Sequence, residues 1–258
     1  MHLKVMTFNV RAYFQEDKTN AWPNRVDQVA KLISEEKPFI IGMQEIRLEM
    51  IHELAAKIPS YKWIGEERLA GDETNAIFYN TNLLHLKISN TFWLSETPYI
   101  KESISWNSAC HRICTWGEFV HKDNHDTKFR FFNTHLDHES ELARKNGIQV
   151  IGNIMQELNK QNLLPNVLTG DFNCYPSSDP VQYCEKVLGL QNAYHFLTNE
   201  EHKRKSFHEF NGGIDGEPID YIFTSSKWKI VRAQILQRKI GDVYPSDHYP
   251  VVAHIVLN

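Results

Sequence analysis

Polar residues of a particular kind stand where short apolar runs of this 258-residue chain finish. Asn9 follows Met6-Thr7-Phe8, Glu45 follows Ile40-Ile41-Gly42-Met43-Gln44, and His135 follows Phe132-Asn133-Thr134. Asp171 and Asn173 follow Val167-Leu168-Thr169-Gly170, while Asp247 and His248 precede Tyr249-Pro250-Val251-Val252. One Asn after a strand is ordinarily a turn former. Three carboxylates, two amides and two imidazoles converging at strand ends form a set with a shared chemistry. The oxygens are the hard donors that Mg²⁺ or Mn²⁺ selects, and the other groups can move protons or bind an oxyanion. This is equipment for phosphoester hydrolysis. The metal acts as Lewis acid, a carboxylate orients or deprotonates water, and imidazoles and amides hold the charge that builds on the equatorial oxygens. No Ser or Cys nucleophile belongs to the set, so attack by water without a covalent intermediate is expected.

The elements that must position these residues are legible as apolar runs and helical periods. Strands are expected over 3–10, 39–43, 76–79, 114–120, 129–133, 166–169, 219–223, 228–234 and 250–256. Helix-period segments cover 25–35, 49–58, 139–161 and 180–188. Strands and helices alternate early and the stretch 76–133 is strand-rich, which suggests mixed sheets with helices outside. No composition shift or Pro/Ser-rich linker divides the chain, so a single domain over 1–258 is expected. The polar, glycine-bearing stretch 199–218 reads as a surface loop bordering a site.

Composition narrows the partners. With 41% hydrophobic and 12% aromatic residues, disorder, collagen and coiled coil are excluded. Lys and Arg number 28 against 32 Asp and Glu, a net charge of −4, so tight non-specific binding to duplex DNA is not expected. The N-terminus lacks a secretory pattern and no apolar run approaches the ~18 residues of a membrane span, so a cytoplasmic protein without membrane contact is expected. Cys110, Cys114, Cys174 and Cys184 are expected as free thiols, Cys174 packing behind the Asp171 strand end. A zinc site from Cys110, His111 and Cys114 lacks a matching second half. Trp93, Trp106 and Trp116 read as core aromatics before base-stacking ones, Trp106 having the best claim to exposure.

Six motifs carry a resemblance. Thr7-Phe8-Asn9-Val10-Arg11, Gln44-Glu45-Ile46-Arg47, Asn133-Thr134-His135-Leu136, Gly170-Asp171-Phe172-Asn173, Ile219-Asp220-Tyr221-Ile222 and Ser246-Asp247-His248-Tyr249-Pro250-Val251 occur in the order of the endonuclease/exonuclease/phosphatase superfamily. The chain resembles its deoxyribonuclease I-like members, which implies a four-layer α/β sandwich of two packed mixed β-sheets flanked by helices. The resemblance implies that Glu45 is the principal metal ligand, with Asn9 close to the metal or phosphate and Asp247 completing the site. It implies that Asp171 orients the attacking water beside Asn173, that His248 is the catalytic imidazole held by Asp220, and that His135 stabilises the transition state. Glu73 matches a carboxylate that orients the second histidine. Arg47 and Arg112 match phosphate-contacting arginines, and His138 and Arg144, just past the His135 strand, are further substrate-binding candidates. Arg47 and Arg112 have a surface salt bridge as their ordinary alternative.

Departures from the pattern narrow the activity. Repair endonucleases of this kind usually carry tyrosine where His135 stands and an acidic residue or asparagine where Arg11 stands. Asn133-Thr134-His135-Leu136 is instead similar to the motif of deadenylases, nocturnin, sphingomyelinases and inositol-phosphate phosphatases. The Thr91–Pro98 run, with Phe92-Trp93-Leu94-Ser95-Glu96-Thr97-Pro98, looks like that of a bacterial subgroup. The expected function is a Mg²⁺- or Mn²⁺-dependent phosphodiesterase or nuclease on nucleotides or short single-stranded nucleic acid. The alternative is a phosphomonoesterase on a small phosphorylated metabolite, which the acidic net charge favours slightly. A catalytically silent binding module would have lost Glu45, Asp171 or His248, and none is lost. No obligate protein partner is evident.

Overall fold

Successive side chains of a strand point to opposite faces, so a strand covered on both sides must be apolar throughout. That condition organises this chain. The computed structural model describes residues 2–124 and 127–257. Its first half runs β1 (His2–Asn9), α1 (Val26–Glu36), β2 (Ile40–Gln44), α2 (Leu48–Lys57), β3 (Tyr61–Ile64), β4 (Ile77–Asn80), β5 (Leu84–Trp93), β6 (Ile113–His121) and β7 (Lys128–His135). The second half runs α3 (Glu141–Gln161), β8 (Asn166–Asp171), α4 (Asp179–Lys186), β9 (Gln191–Asn192), β10 (Asp220–Thr224), β11 (Trp228–Ile235) and β12 (Val251–Leu257).

One six-stranded sheet has the order β11-β12-β1-β2-β4-β3 and the other β5-β6-β7-β8-β10-β9. β1 pairs with β2, and β7 with β8, in parallel; the remaining ladders are antiparallel. In β1, Val5 faces the apolar layer between the sheets while Met6 and Phe8 pack with Val29, Ile33, Met50 and Leu54 of α1 and α2. In β7, Phe129 and Phe131 face the same middle layer and Phe132 packs with Ile148, Ile151 and Met155 of α3 and Val181 of α4. The result is helix, sheet, sheet, helix, the four-layer sandwich of deoxyribonuclease I-like proteins.

A polar knot crosses the middle layer. Gln44 Nε2 donates to Asn133 Oδ1 at 2.6 Å, Asn133 Nδ2 donates to the Met43 and Ala76 carbonyls, and Thr169 Oγ1 donates to Asn133 Oδ1 at 3.1 Å. A Cβ at Gly42 would collide with Asn133 and Thr169, so the close approach of the sheets here requires glycine. Only Gln44 Oε1 of these amide atoms lacks a partner, and sliding the sheets would break the buried bonds that the others make.

The expected helices and all nine expected strands are present, and the four cysteines are free. Cys114 lies fully buried in the outer core of the second sheet, away from the half-buried Cys110, so the cysteine–histidine zinc arrangement does not form. Three strands were not expected. β5 is an edge strand whose middle is exposed and polar, β3 is a short edge strand, and β9 has only two residues. α3 begins two residues later than the periodicity suggested, because Asp137 Oδ1 accepts the Glu139 and Ser140 N–H groups and Ser140 Oγ caps Ala143 N–H. Trp93 and Trp116 are core residues and Trp106 is half-exposed. No helix among the described residues is long and apolar enough to cross a membrane.

Candidate active site

Strand register brings the chemistry together. In the first sheet Asn9 ends β1 opposite Gln44 at the end of β2, so Glu45 is the next residue out. Glu45 takes a left-handed backbone conformation (φ 57°), strained for a non-glycine residue. Its carboxylate accepts Asn9 Nδ2 at 2.8 Å and Ala12 N–H at 3.2 Å. The same Asn9 Nδ2 donates to Asp171 Oδ2 at 3.0 Å, so one amide couples carboxylates from both sheets. Asn9 Oδ1 accepts the Arg11 N–H at 3.0 Å, and the residue is fully buried. Asn9 therefore bridges two carboxylates through its nitrogen, while its oxygen accepts one N–H.

In the second sheet His135 ends β7 beside Asp171 of β8, which faces Asp220 of β10. Asn173, also left-handed (φ 50°), donates its own N–H to Asp171 Oδ1 at 2.9 Å. Its Nδ2 donates to the Leu136 carbonyl at 3.0 Å and to His135 Nε2 at 2.9 Å. An amide nitrogen only donates, so His135 Nε2 accepts and its proton resides on Nδ1, a buried atom with no hydrogen-bond partner. Burial, then Arg112 and Arg68, hold the His135 pKa well below the usual histidine range, so the ring is neutral. No hydrogen bond joins Glu73 to it among the described residues. The Glu73 carboxylate pairs with Arg68 Nη1 at 3.1 Å and is pushed up to about 7 by burial and by the Glu45 charge.

The turn before β12 supplies the rest. His248 Nδ1 bonds Asp220 Oδ2 at 2.9 Å, its Nε2 lies 3.8 Å from Asp171 Oδ2, and Phe207 packs on the ring at 4.7 Å. Burial opposes the charged ring, but Asp220, with Asp171 and Asp247 behind it, carries the His248 pKa up to about 10. Burial and the Asp220 charge push Asp171 up to about 7. Asp247 Oδ2 lies 3.8 Å from Arg11 Nε, and burial together with the Glu45 charge raises its pKa. Burial would raise Glu45 too, yet the Asn9 bond, the His248 charge, the Ala12 N–H and Arg11 carry it below the usual carboxylate range.

These groups open on a pocket of about 350 Å³. Of the candidates, Glu45, Glu73, Arg112, His135, His138, Asp171, Asn173, Asp247 and His248 line it. Asn9 and Asp220 stand behind that wall, each bonded to a lining residue. Arg112 donates from Nη2 to His138 Nδ1 at 3.0 Å and lies 3.7 Å from Asp137. Arg47 is not in the lining; the turn at Glu45 sends its guanidinium against the Phe14 ring, 5.4 Å from the centroid. Arg144 donates to the Asp137 carbonyl at 2.9 Å and lines a neighbouring groove. Arg11, Phe14, Arg68, Cys110 and Phe207 line the pocket without having been singled out. Arg11 and Phe207 had a signal, the first lying two residues past Asn9 and the second inside the loop expected to border a site. Arg68 had none, since its place depends on ion pairs with Asp72 and Glu73.

Glu45 and Asp247 suit a hard divalent cation, because they are oxygen donors on one pocket wall whose negative charges oppose each other. Asp171, Asp220 and His248 also bring donor atoms within 4.8 Å of one another. Within that group His248 Nδ1 is already bonded to Asp220 Oδ2, and the neighbouring carboxylates favour the charged ring.

Comparison with known proteins agrees with the geometry. The model of the Endonuclease/Exonuclease/phosphatase family matches residues 6–248. An endonuclease/exonuclease/phosphatase family protein from Bacteroides thetaiotaomicron is 29% identical, with a TM-score of 0.93 over 100% of this chain and 98% of its own. A mannosyl-6-phosphatase from the same organism is 30% identical, with a TM-score of 0.92 over 99% of this chain and 100% of its own. TDP2 of D. rerio, in complex with a single-strand DNA product, shares the fold at 15% identity and a TM-score of 0.77 over 99% of both chains. With two mixed sheets meeting at a carboxylate and imidazole pocket, the chain belongs to the endonuclease/exonuclease/phosphatase family of phosphoester hydrolases.

Proposed function

We propose that this chain is a divalent-metal-dependent phosphomonoesterase acting on a small phosphorylated carbohydrate. The carrying observation is the shape and charge of the pocket. Its volume of about 350 Å³ lies at the small end of ligand sites, and Arg11, Arg68 and Arg112 stand on its wall beside Glu45, Glu73, Asp171 and Asp247. A compact dianion can be held there by the arginines together with a cation on the carboxylates. The mannosyl-6-phosphatase at 30% identity supports the same substrate class.

In this reading Glu45 and Asp247 hold Mg²⁺ or Mn²⁺, which when bound supplies a Lewis acid at a phosphoryl oxygen. Asp171, steered by the Asn9 and Asn173 N–H groups, orients water and takes its proton. His248, kept protonated by Asp220, gives the Nε2 proton to the departing sugar oxygen as the phosphorus–oxygen bond breaks. Arg112 and His138 stand where phosphate oxygens can be gripped, and Asn173 and neutral His135 form the opposite wall.

A nuclease acting on nucleotides or short single strands is the second reading, favoured by Phe14 and Phe207, whose rings in the pocket lining offer faces for a base. Mn²⁺-dependent assays on mannose 6-phosphate, glucose 6-phosphate and a single-stranded oligonucleotide, with Glu45→Ala as the blank, decide between them. Phosphate release from the sugar esters with the oligonucleotide left intact is expected. Cleavage of the oligonucleotide with the sugar esters untouched would replace this reading with the second.

A further inference from the structure

The reaction pocket does not end at the phosphate site. Asn173, Phe207 and Ile219 form its rim and are also the first residues of a second hollow of about 600 Å³. That hollow shares Glu141, Arg144, Cys174 and Ser178 with a third of about 510 Å³, so the three make one continuous trough. Such a length is more than a lone monosaccharide phosphate can use.

Both signs of charge recur along it. Arg11, Arg68 and Arg112 stand with Glu45, Glu73, Asp171 and Asp247 at the reaction pocket, and the second hollow sets Arg144 and Lys205 against Glu141, Asp215 and Glu217. Among the described residues none of these five is in an ion pair. The third hollow adds Lys145 and Asp179, which neutralise each other at 2.9 Å. A nucleic acid continuing from the scissile phosphate would meet three carboxylates against two basic groups, without the excess of positive charge that strand binding needs. Carboxylates and basic groups interleaved with Ser178 and Asn173 instead offer alternating acceptors and donors to hydroxyl groups. Tyr175, 56% exposed at the side of the trough, adds an unpartnered aromatic face for the apolar side of a sugar ring.

We propose that this trough binds an uncharged polyhydroxylated chain, so that the substrate is a phosphorylated glycan whose further sugars lie along Tyr175, Glu217 and Arg144. The proposal rests on the phosphomonoesterase reading and extends it.

The test compares mannose 6-phosphate with mannobiose carrying the 6-phosphate on its terminal mannose, and adenosine 5′-monophosphate with a 5′-phosphorylated tetranucleotide. Wild type and the variants Tyr175→Ala and Glu217→Ala are used. The disaccharide is expected to show a KM roughly three- to tenfold below that of the monosaccharide. Either variant should erase that gain and leave mannose 6-phosphate turnover unchanged. The tetranucleotide should gain nothing over the mononucleotide. Equal KM for both mannose esters, or a tetranucleotide advantage that fades with salt, would overturn the trough while leaving the phosphatase intact. Titration of the metal-free chain with the two mannose esters separates the claims. If neither ester is hydrolysed, tighter disaccharide binding that Tyr175→Ala removes supports the trough and refutes the phosphatase, whereas equal binding refutes both.

Discussion

Asp220 never touches the pocket, yet it sets the proton inventory of the residue that does. Its carboxylate fixes His248 through Nδ1 and holds the ring charged up to about pH 10. In Asp220→Asn the ring should titrate closer to the ordinary histidine value of about 6.5. The alkaline limb of the pH–rate profile should then move down by several pH units, with kcat falling roughly 10²–10⁴-fold at pH 8. An unmoved alkaline limb would remove His248 from the reaction. In the proposed mechanism the acid limb belongs to Asp171, whose pKa, raised to about 7, would leave it protonated below that pH and unable to accept a proton from water. Stability follows the same shift. A raised histidine pKa contributes stability that is fully present below the unfolded value of about 6.5 and is lost as pH climbs through about 10. Thermal unfolding of Asp220→Asn should therefore be less sensitive to pH across that window. Residue types at strand ends were enough to nominate these groups, because several of them together share one chemistry although each alone would pass for a turn former. Their orientation was not legible. Which way the Asn9 amide faces depends on Glu45, Asp171 and the Arg11 N–H together, and the left-handed turn at Glu45 that removes Arg47 from the pocket leaves no mark in composition.

The elements hold the site through one buried cation. Arg25, just before α1, is fully buried between the Trp22 and Phe210 rings, 5.7 and 5.2 Å from their centroids. Its guanidinium donates to the carbonyls of Val10 at 2.8 Å, Arg11 at 3.0 Å and Pro245 at 2.6 Å, and also to that of Asn20. It thus ties the turn after β1, which carries Asn9 and Arg11, to the turn before β12, which carries Asp247 and His248. Lysine has the charge but not the fork. Arg25→Lys should strand at least one buried carbonyl, cost roughly 1–3 kcal/mol in urea unfolding, and lower kcat more than it raises KM. Unchanged kcat in a destabilised variant would show that the tether serves folding alone. Strands buried on both faces and the amphipathic helices were readable from periodicity; β5 was not, because an edge strand with a solvated middle has no apolar run to announce it. Arg25 itself looked like the first residue of a helix, and nothing local reveals that its partners lie at 10, 11, 20 and 245.

At the scale of the molecule the site is a seam between two sheets, with like charges pressed together across it. Glu45 of the first sheet and Asp247 of the β12 turn repel each other where a cation would sit. Mn²⁺ at about a hundred times its dissociation constant should therefore raise stability by roughly 2.7 kcal/mol, read as a higher Tm. Glu45→Gln should lose most of that increment while keeping the metal-free Tm at or above the wild-type value. An equal Mn²⁺ shift in both proteins would place the cation elsewhere. The four-layer architecture could be anticipated from the order of runs and motifs, but the trough could not, since its walls come from α3, the Asn173 turn and the 199–218 loop, which meet only in the folded chain. The topology has one more outcome. β12 lies inside the first sheet between β11 and β1, and the turn bearing Asp247 and His248 directly precedes it. Until residues 247–257 have been synthesised and have paired there, β1 has β2 on one side only and the pocket lacks both side chains of that turn. On the role proposed for His248, a growing chain stays inert toward phosphate esters until that strand has been inserted.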